Sequence, residues 1–167
     1  FAGNSTVLFE GKPVGTPNPG TFWRIIQEYR VKSLFTAPTA FRAIKRSDPA
    51  GDYIKKYDTS SLKSLFLAGE RADPDTIRWA AEHLKVPVID HWWQTETGFP
   101  MVGCPLGLKS PDVKIGTAGL PMPGYQIDVL NSDGKVLGPN KLGSIAVKMP
   151  LPPGTLPTLW NADERFR

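Results

Sequence analysis

The sequence predicts an α/β fold: a parallel sheet flanked by helices over residues 1–112, then a small antiparallel β-barrel-like subdomain over residues 113–167. Three observations predict it. Between about residues 20 and 98, apolar runs of strand length alternate with amphipathic runs of helix length. From about residue 113 the apolar spacing drops to two, as in half-buried strands. Hydrophobic residues make up 40% of the 167, enough for one core or two small subdomains and too many for a disordered chain.

Each element has its own signal. Thr6 to Phe9 reads as a strand. In TFWRIIQEYR (residues 21–30), Phe22, Ile25, Ile26 and Tyr29 fall on one helical face, with Thr21 as N-cap. VKSLF reads as a buried strand. PTAFRAIKR reads as a helix with Pro38 in its first turn, where the missing N–H costs nothing. The apolar strand LKSLFLA follows a polar connection. DPDTIRWAAEHL is the clearest helix, with Asp73 at the cap, Pro74 just inside, and Ile77, Ala80, Ala81 and Leu84 along one side. VPVID is the next strand. Further on, Tyr125, Ile127 and Val129 alternate, NSDGK makes a turn, and Ile145, Val147 and Met149 alternate again. No internal repeat is present, and the Pro and Gly of the second half read as loop punctuation.

A strand-helix-strand series implies parallel strands joined by right-handed crossovers. Parallel strands end at one edge, and ligands bind just outside those carboxyl ends. The segments after the three strands are TAPTA at 36–40, GERAD at 69–73 and HWWQTETG at 91–98, and they are expected to converge. Aromatic walls with short hydrogen-bonding groups suit a flat ring carrying phosphates.

Composition excludes several classes. The 20 basic and 16 acidic residues are scattered and give only +4, a poor footprint for nucleic acid. A single cysteine, Cys104, excludes an internal disulfide and a multi-thiolate metal site, and fits a reducing compartment. No apolar run approaches the roughly 18 residues of a membrane span, and the first residues lack the order of a signal peptide. A soluble chain is expected, with neither membrane nor nucleic acid as partner.

Taken singly, the residues at these segments have plain readings. A tryptophan pair after a strand is ordinarily packing, Glu96 a solvated charge, Gly69 a turn, His91 a position-filling polar residue and Cys104 a small buried one. Order and spacing across four segments favour function. WWQTETG, preceded by TAPTAFR and LAGE and followed by GTAGLPMPG, resembles the core motifs of the adenylate-forming superfamily. Within it the paired tryptophans resemble the short-chain acyl-CoA synthetases, the acetyl- and propionyl-CoA ligases. The resemblance covers nearly the whole chain. It implies an ATP-dependent acid-thiol ligase that converts a short-chain carboxylate to an acyl-adenylate, with release of pyrophosphate, and then to acyl-CoA.

Carried over by position, the resemblance implies that Gly69, Glu70 and Arg71 lie along the adenine, although many relatives have Pro where Arg71 stands. Asp90, His91, Trp92, Trp93, Gln94 and Thr95 match the rest of the nucleotide stretch. Thr95 would hydrogen-bond the α-phosphate, and Glu96 would help hold Mg²⁺. Attack of a carboxylate on a phosphate sets anion against anion, which is why such chemistry needs a metal and a fixed donor. Thr36 to Thr39 match the acyl and coenzyme A side, making Thr36 a substrate contact. Trp93 would close the acyl pocket, leaving room for a few carbons. Ala68 stands where acetate-specific relatives tend to carry Val, and the two missing methyls favour propionate.

A Gly-rich phosphate loop, a downstream TGD and a C-terminal domain with a catalytic lysine are absent from the 167 residues. The expectation is therefore a middle-to-late portion of a larger N-terminal domain, inactive by itself and needing the rest of its parent chain. ATP, Mg²⁺ and coenzyme A are the implied cofactors and co-substrates, and the cytoplasm, or the mitochondrial matrix in a eukaryote, the implied location. Three alternatives stay open: a non-catalytic nucleotide- or acyl-binding remnant, an acetate-preferring ligase, and, least favoured by the diffuse charge, a nucleic-acid-binding module.

Overall fold

A computed structural model describes residues 3–108 and 114–166. The chain divides into two units, Phe1–Asp90 with Asp112–Thr117, and His91–Pro111 with Ala118–Arg167. The boundary expected at 112/113 lies outside the described residues.

The first unit is built on three strands, β1 (Ser33–Thr36), β2 (Ser64–Leu67) and β3 (Val88–Asp90), parallel and in the order β1-β2-β3. Three helices accompany them: α1 (Thr21–Tyr29), α2 (Pro38–Ser47) and α3 (Pro74–Leu84). Both crossovers, β1-α2-β2 and β2-α3-β3, step in the same direction across the sheet. Right-handed crossovers then carry both helices to the same face. The core agrees: Leu34, Leu65 and Val88 lie in register and pack with Trp23, Ile26, Phe41, Ile44 and Ile77. Phe35, Phe66 and Ile89 alternate to the other face.

An aromatic chain runs through this core. Trp23 meets Phe22 and Phe41 edge-on at 6.4 and 5.9 Å, and Phe41 meets Trp79 at 6.4 Å. The Trp23 Nε1–H is buried and finds no acceptor among the described residues. Such an orphan costs about 1–3 kcal/mol. Burying an indole of roughly 150–250 Å² contributes about 4–6 kcal/mol, so packing wins.

Two details of α1 differ from expectation. Gly20 precedes the helix, and Thr21 is its buried first residue, with Oγ1 donating to the carbonyls of Asn18 and Thr16. The hydroxyl acts as a donor to the preceding turn rather than as a cap acceptor. The buried stripe is Phe22, Trp23 and Ile26, while Tyr29 is 58% exposed; the larger indole takes the core position. The other two helices begin as expected. Pro38 opens α2, and the Asp73 carboxylate accepts from the Thr76 N–H at 2.9 Å, with Pro74 opening α3. Residues 4–10 form no strand, because no ladder partner is present among the described residues, and Leu8 is exposed.

In the second unit β4 (Val102–Gly103) pairs with β5 (Leu120–Pro121), and β6 (Ile127–Leu130) with β7 (Ser144–Val147), both antiparallel. The NSDGK turn forms as expected: Asn131 Oδ1 accepts from the Asp133 and Lys135 N–H groups at 3.0 and 2.8 Å. The expected barrel does not close among the described residues, which hold two separate two-stranded ladders. Pro121 cannot donate to a ladder and a second proline, Pro123, stands two residues on, so β5 stops after two residues. Ile145 and Met149, two of the alternating apolar residues, are 57% and 70% exposed. A short helix, α4 (Asp163–Phe166), carries Asp163 and Glu164 in its first turn. No helix among the described residues is long and apolar enough to cross a membrane.

Candidate functional site

Register positions the candidate residues of the first unit. Thr36 pairs with Leu67, and Leu67 with Asp90, so the three strands end level. The connection after β2, residues 68–73, is then pinned along its length. Ala68 is buried and its N–H donates to the Thr36 carbonyl at 3.2 Å. Gly69 turns the chain at φ +100°, a conformation open to glycine. The Ala72 N–H donates to the buried Asp90 carboxylate at 3.2 Å, linking the end of β3 to this connection.

Glu70 is held from α2. Its carboxylate accepts from the Thr39 hydroxyl and from the Arg42 guanidinium, and Arg42 reaches Asp73 at 3.3 Å through its other nitrogen. The Thr39 hydroxyl, with the Arg42 charge behind it, holds the Glu70 carboxyl below its ordinary range. For Asp73, burial pushes the carboxyl up, but the Thr76 N–H at the helix cap and then Arg42 prevail and lower it. Arg71, between them, is exposed and makes no ion pair among the described residues.

The second unit carries His91 to Gly98. Trp92 bonds through its backbone to Val102, with N–H to carbonyl at 2.9 Å and the return bond at 3.2 Å. The His91 and Trp93 rings lie 5.0 Å apart at 46°. Thr95–Thr97 form one 3₁₀ turn, in which the Gln94 N–H donates to the Thr97 hydroxyl at 3.1 Å. Thr97 is buried, and its carbonyl accepts from the Tyr125 hydroxyl at 3.2 Å. The Glu96 carbonyl accepts from the Leu156 N–H at 2.7 Å. The backbone is thus tied down while Gln94, Thr95 and Glu96 are exposed. Among the described residues neither the Thr95 hydroxyl nor the Glu96 carboxylate has a side-chain partner.

This donor set suits magnesium with a nucleotide. No three His, Cys, Asp or Glu side chains gather as a metal cage among the described residues. Mg²⁺ needs no such cage, since it keeps several waters and is held by one or two carboxylates plus substrate phosphates. An unpaired carboxylate beside a threonine hydroxyl on a fixed turn meets that requirement. By contrast, a cleft of about 320 Å³ in the first unit opens at the opposite strand ends, between Thr59 and Lys63 before β2 and Lys85 and Pro87 before β3. Parallel sheets bind ligands at their carboxyl ends, so its size does not make it the site.

Sequence reasoning named Thr36, Ala68, Gly69, Glu70, Arg71 and Asp90, all in the first unit, and His91 to Glu96, all in the second. It missed Arg42, Thr97 and Tyr125. The three-residue spacing of Thr39 and Arg42 on one helix face was the available signal for the first, and the Gln94 to Thr97 capping-box spacing for the second.

The family model described as AMP-binding enzyme matches residues 1–156. The chain is 48% identical over 166 residues to the mouse (Mus musculus) acyl-CoA synthetase short-chain family member 3, mitochondrial, covering 99% of this chain and 24% of that protein. It is 43% identical over 167 residues to the propionate–CoA ligase of Escherichia coli K12, covering 99% of this chain and 26% of that one. The chain therefore spans about a quarter of the length of these curated relatives. Among solved structures it resembles the anthranilate CoA ligase AuaEII in complex with anthranoyl-AMP, with a TM-score of 0.77 at 22% identity, over 99% of this chain and 29% of that one. At that identity the likeness concerns the fold.

The turn that presents Thr95 and Glu96 depends on Gly98, whose φ is +70° and where a Cβ would lie 2.4 Å from the Gly154 carbonyl oxygen. Gly134 shares the conformation, at φ +75°, but faces open space. Gly134→Ala is expected to lose about 1–2 kcal/mol, the left-handed penalty alone. Gly98→Ala should lose clearly more, since backbone must also shift. Urea unfolding of the two variants makes the comparison, and equal losses would mean that the Gly154 contact does not hold the turn.

Proposed function

This chain belongs to the AMP-binding enzyme family, and on that footing we propose that it is a segment of an AMP-forming acid-thiol ligase that activates a short-chain carboxylate, with propionate preferred, and transfers the acyl group to coenzyme A. The observation that carries the reading is the exposed Thr95 and Glu96 pair on a turn whose backbone is bound at Trp92, Glu96 and Thr97. Preorganised donors act without reorganising as charge develops, which is where electrostatic catalysis draws its strength. The names of the relatives at 43–48% identity support the reaction class.

In this reading Thr95 donates to the α-phosphate and orients it for attack by the substrate carboxylate. Glu96 contributes a carboxylate to Mg²⁺, which when bound supplies the positive charge that offsets anion against anion. Gly69 to Arg71 and Asp90 to Gln94 form the nucleotide-binding segments, and Thr36 contacts the acyl and coenzyme A side. Because the chain spans about a quarter of its relatives, the whole reaction is proposed for a full-length polypeptide carrying this segment, in the cytoplasm or mitochondrial matrix.

Propionate rests on Ala68 and Trp93. Ala68 is a buried side chain at the carboxyl end of β2, and a valine there would add two methyls that take up the space the longer acid needs. The indole of Trp93 is a large group beside His91 that limits the acid to a few carbons.

Two measurements on the full-length ligase test this. Glu96→Gln should slow pyrophosphate release in the adenylation half-reaction about 10²-fold or more. Thioester formation from preformed propionyl-adenylate should suffer much less, and equal loss in both steps would indicate a structural role. Ala68→Val should shift the acetate-to-propionate ratio of kcat/KM toward acetate by about 10–200-fold. An unchanged ratio would remove Ala68 from the acyl site.

A further inference from the structure

The connection from β2 to α3 is short, and its two ends are fixed by regular structure: Leu67 closes β2, and Asp73 caps α3. Between them the Ala72 N–H is tied to Asp90. The remaining freedom lies at Gly69, Glu70 and Arg71, the residues assigned above to the adenine. Glycine at φ +100° leaves that stretch a choice of paths. What removes the choice comes from another element: Thr39 and Arg42, one turn apart on α2, both donate to the Glu70 carboxylate, and Arg42 continues to Asp73.

We propose that Arg42 is a positioning residue for nucleotide binding: its guanidinium bridges Glu70 and Asp73 and holds the 69–71 backbone in the conformation that receives the adenine. The inference rests on the nucleotide reading of that segment. It also gives Glu70 a different part from a direct ligand contact, since its carboxylate is taken up by Thr39 and Arg42.

Charge alone does not explain the arrangement. The three side chains are 37–42% exposed, so the pairs are screened and add little to global stability. Their effect is geometric. A planar guanidinium reaches two carboxylates at once from separate nitrogens, as here, whereas a lysine offers a single point charge. A loop ordered before binding avoids the entropy of ordering during it, so the benefit falls on ground-state nucleotide affinity. A uniform binding contribution of that kind changes KM and leaves kcat near its original value.

The test uses the full-length ligase and the variants Arg42→Ala, Arg42→Lys, Glu70→Gln and Arg42→Ala with Glu70→Gln. KM for ATP should rise about tenfold in Arg42→Ala and remain raised in Arg42→Lys, which keeps the charge but not the fork. KM for propionate, kcat and the melting temperature should change little. The double variant should be no worse for ATP than Arg42→Ala alone, because both substitutions break one bridge. An unchanged KM for ATP in Arg42→Ala, additive effects in the double variant, or a uniform loss of kcat with a lowered melting temperature would each overturn the proposal. Photolabelling of the unsubstituted enzyme with 8-azido-ATP separates the two layers. Label within the 68–73 peptide with no KM effect in Arg42→Ala defeats the bridge alone, whereas no label there defeats the nucleotide reading and the bridge with it.

Discussion

The structure depends on one constraint, the parallel register that sets Thr36, Leu67 and Asp90 level across three strands. A single-residue slip of any one strand would turn its inward residue, Leu34, Leu65 or Val88, away from the helices and bring Phe35, Phe66 or Ile89 in its place. The aromatic chain from Phe22 to Trp79 penalises that exchange, because it is shaped around the face that now packs. Once register holds, the carboxyl end of β3 delivers Asp90 to the Ala72 N–H. The loop after β2 then takes its form from β3 and α2 together.

Each unit tightens a short segment in its own way. In the first, side chains bind a backbone that glycine leaves free: Thr39 and Arg42 on Glu70, Asp90 on Ala72. In the second, backbone and buried polar groups bind the turn: Val102 on Trp92, Tyr125 on Thr97, Leu156 on Glu96. In both, side chains without ion-pair or side-chain partners among the described residues are left on a fixed frame, Arg71 in one and Thr95 with Glu96 in the other. Binding residues on a rigid scaffold lose less on engaging a ligand.

Much of this was readable from local chemistry. Proline at the first helical position and aspartate at the cap each act within one turn, so α2 and α3 begin where the sequence indicates. The strand runs are short and apolar, and their parallel order follows from the intervening helices. What was missed is non-local. Thr6 to Phe9 has strand-like residues, yet a strand exists only through a partner's hydrogen bonds. Thr21 became a donor because of where residues 16–18 pass. The barrel expectation rested on alternation, which predicts strands and pairing but says nothing of closure. At the candidate site the motif residues stood out by type and order. Arg42 and Tyr125 did not, since their roles lie in partners 28 residues away along the chain.

On the proposed function, nucleotide is received at the carboxyl edge of the β1-β2-β3 sheet. Backbone hydrogen exchange of the full-length ligase, with and without Mg²⁺ and ATP, tests it most directly. Slowed exchange is expected at the amides of residues 69–73, with none at residues 59–63 and 84–87, which line the cleft at the opposite ends of the same strands. Slowed exchange at 59–63 and 84–87, with 69–73 unchanged, would contradict it.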